Sequence, residues 1–166
     1  MQRLFSPWRK PYIGRDKAAE KAKGCVFCEA LKQKDGPQNL IVHRGALAFA
    51  MLNRFPYTSG HLMVLPFAHV ARLDEMDAAT RSEMMELVNH SVSVLGEAYS
   101  PEGFNLGANL GTAAGAGIEE HLHLHVLPRW VGDTNFMATV GETRVLPETL
   151  EETWQRVSAA WAKHKK

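Results

Sequence analysis

Three histidines alternate with leucines in the stretch "EEHLHLHVLPRW": His121, His123 and His125. If residues 118–127 form a strand, its period of two places all three rings on one face, toward a cleft or the surface, and the leucines on the other. The rings could then form an exposed polar face, bind one metal ion, or comprise a nucleophile with two helpers. Because successive rings start roughly 6.5–7 Å apart on a strand, the third converges poorly on one metal ion.

A glycine-rich segment, "NLGTAAGAG", directly precedes the histidines. Glycines allow backbone amides to approach a bound anion closely, as in phosphate-binding loops. A neutral imidazole, with a reference pKa of about 6.5, can attack phosphorus without a separate base. The resulting phosphoramidate can be displaced by a second nucleophile. Loop and histidines together therefore favour the nucleophilic interpretation.

The only cysteines, Cys25 and Cys28, form a C-x-x-C motif. In a reducing compartment a structural disulfide is not expected, which leaves a metal site, redox chemistry or two buried thiols. The motif alone does not decide between them.

Composition narrows the class of protein. A chain of 166 residues with 45% hydrophobic and 22% charged residues is typical of one globular domain. The net charge of +1 indicates neither a nucleic-acid partner nor a membrane surface. We find neither an apolar run long enough to cross a bilayer nor a secretory leader, so we expect a cytoplasmic protein.

The elements that must position these residues follow from hydrophobic periodicity. We expect strands at residues 39–44, 46–53, 61–66 and 104–111, and a long helix over 77–99. A C-terminal helix over 147–163 would have Pro147 in its first turn. Short antiparallel strands interrupted by one long helix and followed by another predict an α+β fold.

The motif "HLHLHVLPR" resembles the signature of the histidine-triad (HIT) superfamily of nucleotide hydrolases and transferases. "FAMLNRFPYTSGHLMVLPFAHV" is similar to an earlier family block, and the tail "WVGDTNF" resembles the bacterial and archaeal subgroup with diadenosine tetraphosphate phosphorylases. The resemblance implies a HIT-like antiparallel sheet of about five strands. It also implies a single domain over 1–166, with an N-terminal extension over 1–24, and a homodimer.

The resemblance assigns site residues by position. His123 would be the nucleophile, His125 would contact the α-phosphate, and His61 would stand beside it as the third catalytic residue. Asn53 would bind the ribose of the substrate. The phosphate chain would be bound by Asn109, Gly111, Thr112, Gly115 and Gly117, and Trp130 would be a further substrate-binding residue.

Branches of the superfamily with C-x-x-C bind zinc, and the matching positions are Cys25, Cys28, His69 and His121. A Cys2His2 set is a closed tetrahedral site with a structural role. Any Mg²⁺ would arrive with the phosphates of the substrate.

The implied activity is cleavage of dinucleoside polyphosphates through a nucleotidyl-histidine intermediate, which phosphate or water then resolves. Several animal hydrolases have a glutamine where this chain has Gly117. The space that this opens for inorganic phosphate favours phosphorolysis over hydrolysis of dinucleoside polyphosphates or AMP phosphoramidates. The same residues are also compatible with a nucleotide-binding sensor without turnover and with a metallohydrolase.

Histidines outside these motifs carry no assigned chemistry. We expect His43 to be structural, His90 to be solvated on the long helix and His164 to belong to a charged tail. Arg129 could pair with phosphate or with a carboxylate.

Overall fold

The structure, a computed structural model, describes residues 24–134, 137, 140–141 and 146–164, so most of the expected N-terminal extension lies outside the described residues. The helices are α1 (Val26–Leu31), α2 (Ala78–Tyr99) and α3 (Leu150–Lys163), with short 3₁₀ turns at Leu73–Glu75 and Thr112–Ala114. The strands are β1 (Ile41–Arg44), β2 (Ala48–Leu52), β3 (Leu62–Pro66), β4 (Gly103–Gly107) and β5 (Leu124–Arg129).

The five strands form one antiparallel sheet in the order β1-β2-β3-β5-β4. This confirms the expected α+β fold with about five strands, one long helix and a C-terminal helix. Met51, Met63 and His125 are register partners across β2, β3 and β5, so they share one face of the sheet.

The opposite face carries Leu52, and a cavity lined by Leu52 is also lined by Leu150 and Thr153 of α3. The helices pack against the sheet, α2 against β2, β3 and β5 and α3 against β1, and they contribute Met84, Leu95 and Trp161 to the core. Within the described segments, no helix has the length and apolarity needed to span a bilayer.

Side-chain caps fix where the two long helices begin. Asp77 accepts the backbone N–H of Thr80 at the start of α2. Helix α3 starts at Leu150, because Thr149 and Glu152 form a capping box. Pro147 lies before that cap, so the expectation that it occupies the first turn is wrong.

Candidate active site and metal centre

The histidine segment is extended, but it joins the sheet later than expected. β5 begins at Leu124, so His121 and His123 precede the ladder, and the strand predicted over 118–127 is too long at its start. Pro66 has no amide with which to continue the pairing of β3, and the N–H of Leu122 instead donates to the Val70 carbonyl at 2.7 Å.

All three rings are buried, with exposed fractions of 0% for His121, 8% for His123 and 9% for His125. Of the two placements expected for them, a cleft or the surface, an exposed surface is therefore wrong. Phe27 of α1 accounts for part of this burial, since its ring lies 5.5 Å from that of His121 and 5.3 Å from that of His123.

His123 has one nitrogen committed to the backbone. Its Nδ1 lies 2.8 Å from the carbonyl oxygen of His121, and because a carbonyl only accepts, Nδ1 carries the proton. Nε2 of the neutral ring therefore holds the lone pair. Burial lowers the pKa of His123, which keeps this ring neutral and nucleophilic at neutral pH.

His61 and His125 form a directed pair. The backbone N–H of Tyr57 donates to Nδ1 of His61 at 3.1 Å, so the proton of the neutral His61 ring is on Nε2. That nitrogen lies 2.8 Å from Nδ1 of His125, which must accept, and the proton of His125 is then on Nε2. Burial, followed by the proximity of His123, lowers the pKa of His125 to about 4. His125 is thus a neutral hydrogen-bond donor, 4.9 Å from His123 between ring centroids.

Asn53 lies beside this pair, with its amide nitrogen 3.5 Å from Nε2 of His61. Its side-chain oxygen accepts the N–H of Phe55 at 2.9 Å, which shapes the turn between β2 and β3. The structure therefore brings Asn53 together with the predicted catalytic histidines.

The glycine-rich loop starts next to the histidines because Gly107 is the register partner of His125. Gly111 and Gly115 have φ values of 78° and 88°, a region that favours glycine. The amides of Ala114, Gly115 and Ala116 donate to carbonyls within the loop. The amides of Thr112 and Gly117 are thus better candidates for contacting an anion.

Trp130 and Arg129 lie at the far end of β5. The Trp130 ring contacts Tyr99 of α2, with centroids 6.4 Å apart, and the structure does not bring it to the histidines of the same chain. Arg129 pairs with the carboxylate of Asp133 and donates to Asn105. Phosphate and a carboxylate were the two partners expected for Arg129, and in the structure it pairs with the carboxylate.

Cys25, Cys28, His69 and His121 form a four-ligand cluster whose candidate ligand atoms all lie within 4.8 Å of one another. Nδ1 of His121 is 3.4 Å from Sγ of Cys25 and 3.6 Å from Sγ of Cys28, and Nδ1 of His69 is 3.4 Å from Sγ of Cys28. A tetrahedral ion with the usual Zn–S and Zn–N bond lengths separates such ligands by about 3.5 Å.

The surroundings of the cluster also fit a metal ion. Nε2 of His121 donates to the Pro66 carbonyl at 3.0 Å, which leaves the Nδ1 lone pair for the metal. Burial, and then the neighbouring Cys25, raise the pKa of the Cys28 thiol, and a divalent cation would supply the missing positive charge. These four residues could therefore hold a metal ion.

The spacing of residues in the sequence did not predict two of the contacts in the site. Phe27 packs on His121 and His123, and the Tyr57 ring lies 4.7 Å from His61 and 5.9 Å from His125. Both aromatic residues lie next to motif residues in the sequence, in "CVFC" and "FPYTSGH", and this proximity could have indicated that they belong to the site.

Comparison with known proteins agrees with this geometry. Residues 34–131 match the HIT domain family. The chain is 38% identical to the AP-4-A phosphorylase of Mycobacterium tuberculosis, over 98% of this chain and 86% of that protein. It is also 30% identical to the adenosine 5'-monophosphoramidase of Schizosaccharomyces pombe, over 63% of this chain and 74% of that protein.

A solved structure has the same fold. The Zn-bound histidine triad family protein from Mycobacterium smegmatis superposes with a TM-score of 0.68 at 27% identity, covering 85% of this chain and 95% of that one. With the family match, the close relative and the buried triad in agreement, this chain belongs to the histidine-triad (HIT) family.

Proposed function

We propose that this protein is a nucleotidyl transferase that cleaves dinucleoside polyphosphates such as diadenosine tetraphosphate by phosphorolysis. The observation that carries the proposal is the neutral His123, whose Nδ1–H is fixed by a backbone carbonyl so that Nε2 is the nucleophile. The 38% identity to an AP-4-A phosphorylase over nearly the whole chain supports the substrate class.

In the first step, Nε2 of His123 would attack the α-phosphorus of one nucleotide. A P–N bond forms, the P–O bond to the rest of the polyphosphate breaks, and ATP leaves if the substrate is diadenosine tetraphosphate. Nε2–H of His125 would donate to a phosphoryl oxygen on which charge develops. His61 would hold His125 in the tautomer that makes this donation.

In the second step, an oxygen of inorganic phosphate would attack the same phosphorus and displace His123, releasing ADP. Gly117, where several animal hydrolases have glutamine, leaves room for this second nucleophile. Asn53 would bind the ribose hydroxyls, and Asn109 and the loop from Gly111 to Gly117 the phosphates, by analogy of position within the family.

Incubation of the protein with radiolabelled diadenosine tetraphosphate, with and without phosphate, tests the proposal. We expect ADP and ATP with phosphate and a large loss of turnover in His123→Asn, which keeps the size and polarity of the side chain. His90→Asn, outside the site, is the matched control. AMP and ATP in the presence of phosphate would indicate a hydrolase, and binding without products would indicate a sensor.

The metal that we propose for the Cys25, Cys28, His69 and His121 cluster is zinc. Two thiolates and two imidazoles form a donor set that zinc prefers, and a relative in the same family was solved with zinc bound. Bound there, zinc would hold the surrounding segments together with no open position for substrate. A metallohydrolase would instead lose turnover upon chelation, with the fold intact. Any Mg²⁺ would accompany the substrate.

We also propose a homodimer, as the family resemblance implies. Strand β4 is an edge strand, and its Leu106 is 55% exposed, as expected if another chain covers it. Light scattering on the purified protein should give twice the chain mass of 18.5 kDa.

A further inference from the structure

The turn before His61 packs directly against the end of α2. Gly60 has a φ of +75°, and a Cβ added there would lie 2.9 Å from Cε2 of Tyr99 and 3.0 Å from Cδ2 of Leu95. Both the conformation and the lack of space therefore require glycine. As a result, the position of the Tyr99 ring limits where this backbone can lie.

The ring of His61 depends on the same turn. Its Nδ1 accepts the N–H of Tyr57, its carbonyl accepts the N–H of Asn53 at 2.9 Å, and its own N–H donates to Thr58 at 3.3 Å. His61 is 1% exposed, so its ring has little room for another orientation. A displacement of Gly60 would therefore move His61 relative to His125.

Tyr99 is itself held by residues of the C-terminal segment. Its hydroxyl donates to Oε2 of Glu148 at 2.9 Å, and Arg156 lies over its ring at 5.4 Å from the centroid. Arg156 also forms an ion pair with Glu148 at 2.6 Å, and Thr153 donates to the same carboxylate at 3.4 Å. Burial raises the pKa of Tyr99, so the phenol stays protonated and continues to donate.

We propose that Tyr99 is a positioning residue for the His61–His125 pair and acts through Gly60, while Glu148 and Arg156 hold its ring in place. Through Arg156, the C-terminal helix thereby contributes to the position of the active-site pair. The activity measured below rests on the proposed phosphorolysis, but the arrangement of the imidazoles can be observed independently.

The test compares Tyr99→Leu, which removes the ring, with Tyr99→Phe, which keeps the ring against Gly60 but loses the bond to Glu148. Long-range ¹H–¹⁵N spectra of the full chain report the tautomers of His61 and His125. We expect Tyr99→Leu to shift or broaden the nitrogen signals of this pair, and Tyr99→Phe to retain most of the wild-type pattern.

With diadenosine tetraphosphate and phosphate, kcat of Tyr99→Leu should fall roughly ten- to a hundredfold, the scale of a catalytic group misplaced by up to an ångström. KM should change little, because the role proposed for Tyr99 is to position the His61–His125 pair. Tyr99→Phe should recover most of kcat.

Trp154→Phe is the matched control for stability. It removes the bond from the indole N–H to the Ile41 carbonyl, elsewhere on α3, and should lower Tm without moving the signals of His61 and His125. If Tyr99→Leu behaves like this control, with wild-type imidazole signals and kcat, Tyr99 is a packing residue only and the proposal is wrong.

Two further outcomes separate this proposal from the proposed function. Imidazole signals that move in Tyr99→Leu, in a protein whose wild type has no turnover, would support positioning and reject phosphorolysis. If Tyr99→Leu does not fold, Glu148→Gln takes its place in the test. This substitution weakens the pairing with Arg156 but keeps an acceptor for Tyr99, so we expect it to shift the same nitrogen signals by a small but measurable amount. Unchanged signals in that variant would reject the proposal.

Discussion

At the scale of single residues, three alternating histidines have three different sets of hydrogen-bond partners. His121 donates through Nε2 to Pro66 and can offer Nδ1 to a metal ion. His123 donates through Nδ1 and keeps its lone pair on Nε2, whereas His125 accepts at Nδ1 from His61 and keeps its proton on Nε2. In the proposed mechanism, the same type of side chain therefore provides a ligand, a nucleophile and a donor.

The depressed pKa of His125 predicts a pH-dependent stability. In the unfolded chain this group titrates near its ordinary pKa of 6.5, and in the folded protein near 4. Between these values the unfolded state binds more protons, so the free energy of unfolding falls as pH falls from 6.5 to 4, by on the order of 2–3 kcal/mol. Above pH 6.5 the contribution is fully present.

Urea unfolding of the wild type and of His125→Asn over this pH range measures the effect. Burial also lowers the pKa values of His121 and His123, so the difference in slope between the two proteins isolates His125. Parallel slopes would show that His125 titrates alike in the folded and unfolded states.

Residue types and their spacing went far toward predicting the site, but the contacts between elements could not be predicted. The period of two marked the three histidines, and family resemblance paired Cys25 and Cys28 with His69 and His121, which the structure brings together. His90 was expected to be solvated, yet its ring lies 4.8 Å from that of Trp161. That contact depends on how α3 crosses α2, which local sequence does not specify.

At the scale of elements, periodicity predicted the long helix and the central strands, and it failed at their ends. The six residues of α1 are too few to show a helical period. β5 starts late because its neighbour β3 ends in Pro66, and this limit lies in a different part of the chain. The start of α3 is set by a side-chain cap that favours Thr149 over Pro147.

The capping box of α3 gives a prediction at this scale. Thr149→Ala removes the hydroxyl that accepts the N–H of Glu152 at 3.2 Å, so the free energy of unfolding should decrease by about 1 kcal/mol. Thr149→Ser keeps the hydroxyl and should retain most of the stability. Chemical denaturation of the three proteins is the measurement, and an equal loss in both variants would argue against the cap.

At the scale of the whole molecule, the four-ligand cluster joins distant parts of the chain. Cys25 and His121 are 96 positions apart. Phe27, which covers His123, lies on α1 between the two cysteines. A bound ion would therefore hold the N-terminal part of the described chain against the active site.

Removal of one ligand tests this connection. Cys28→Ser should reduce the bound zinc measured by mass spectrometry and lower Tm, because a three-ligand site binds more weakly. His123→Asn should leave the zinc content unchanged. Val26→Ala, on the exposed side of the same helix, serves as the control. A full zinc content in Cys28→Ser would exclude this cluster as the binding site.

The bond from Nδ1 of His123 to the His121 carbonyl has a consequence for the covalent intermediate. Once Nε2 is attached to phosphorus, the imidazole is cationic, and this neutral hydrogen bond becomes charge-assisted and stronger. If His123 is the nucleophile, as proposed, the main chain would thus stabilise the nucleotidylated enzyme with an oxygen that is already in place before substrate arrives. Because side-chain substitution cannot delete a peptide carbonyl, alanine scanning of the segment would overlook this contribution.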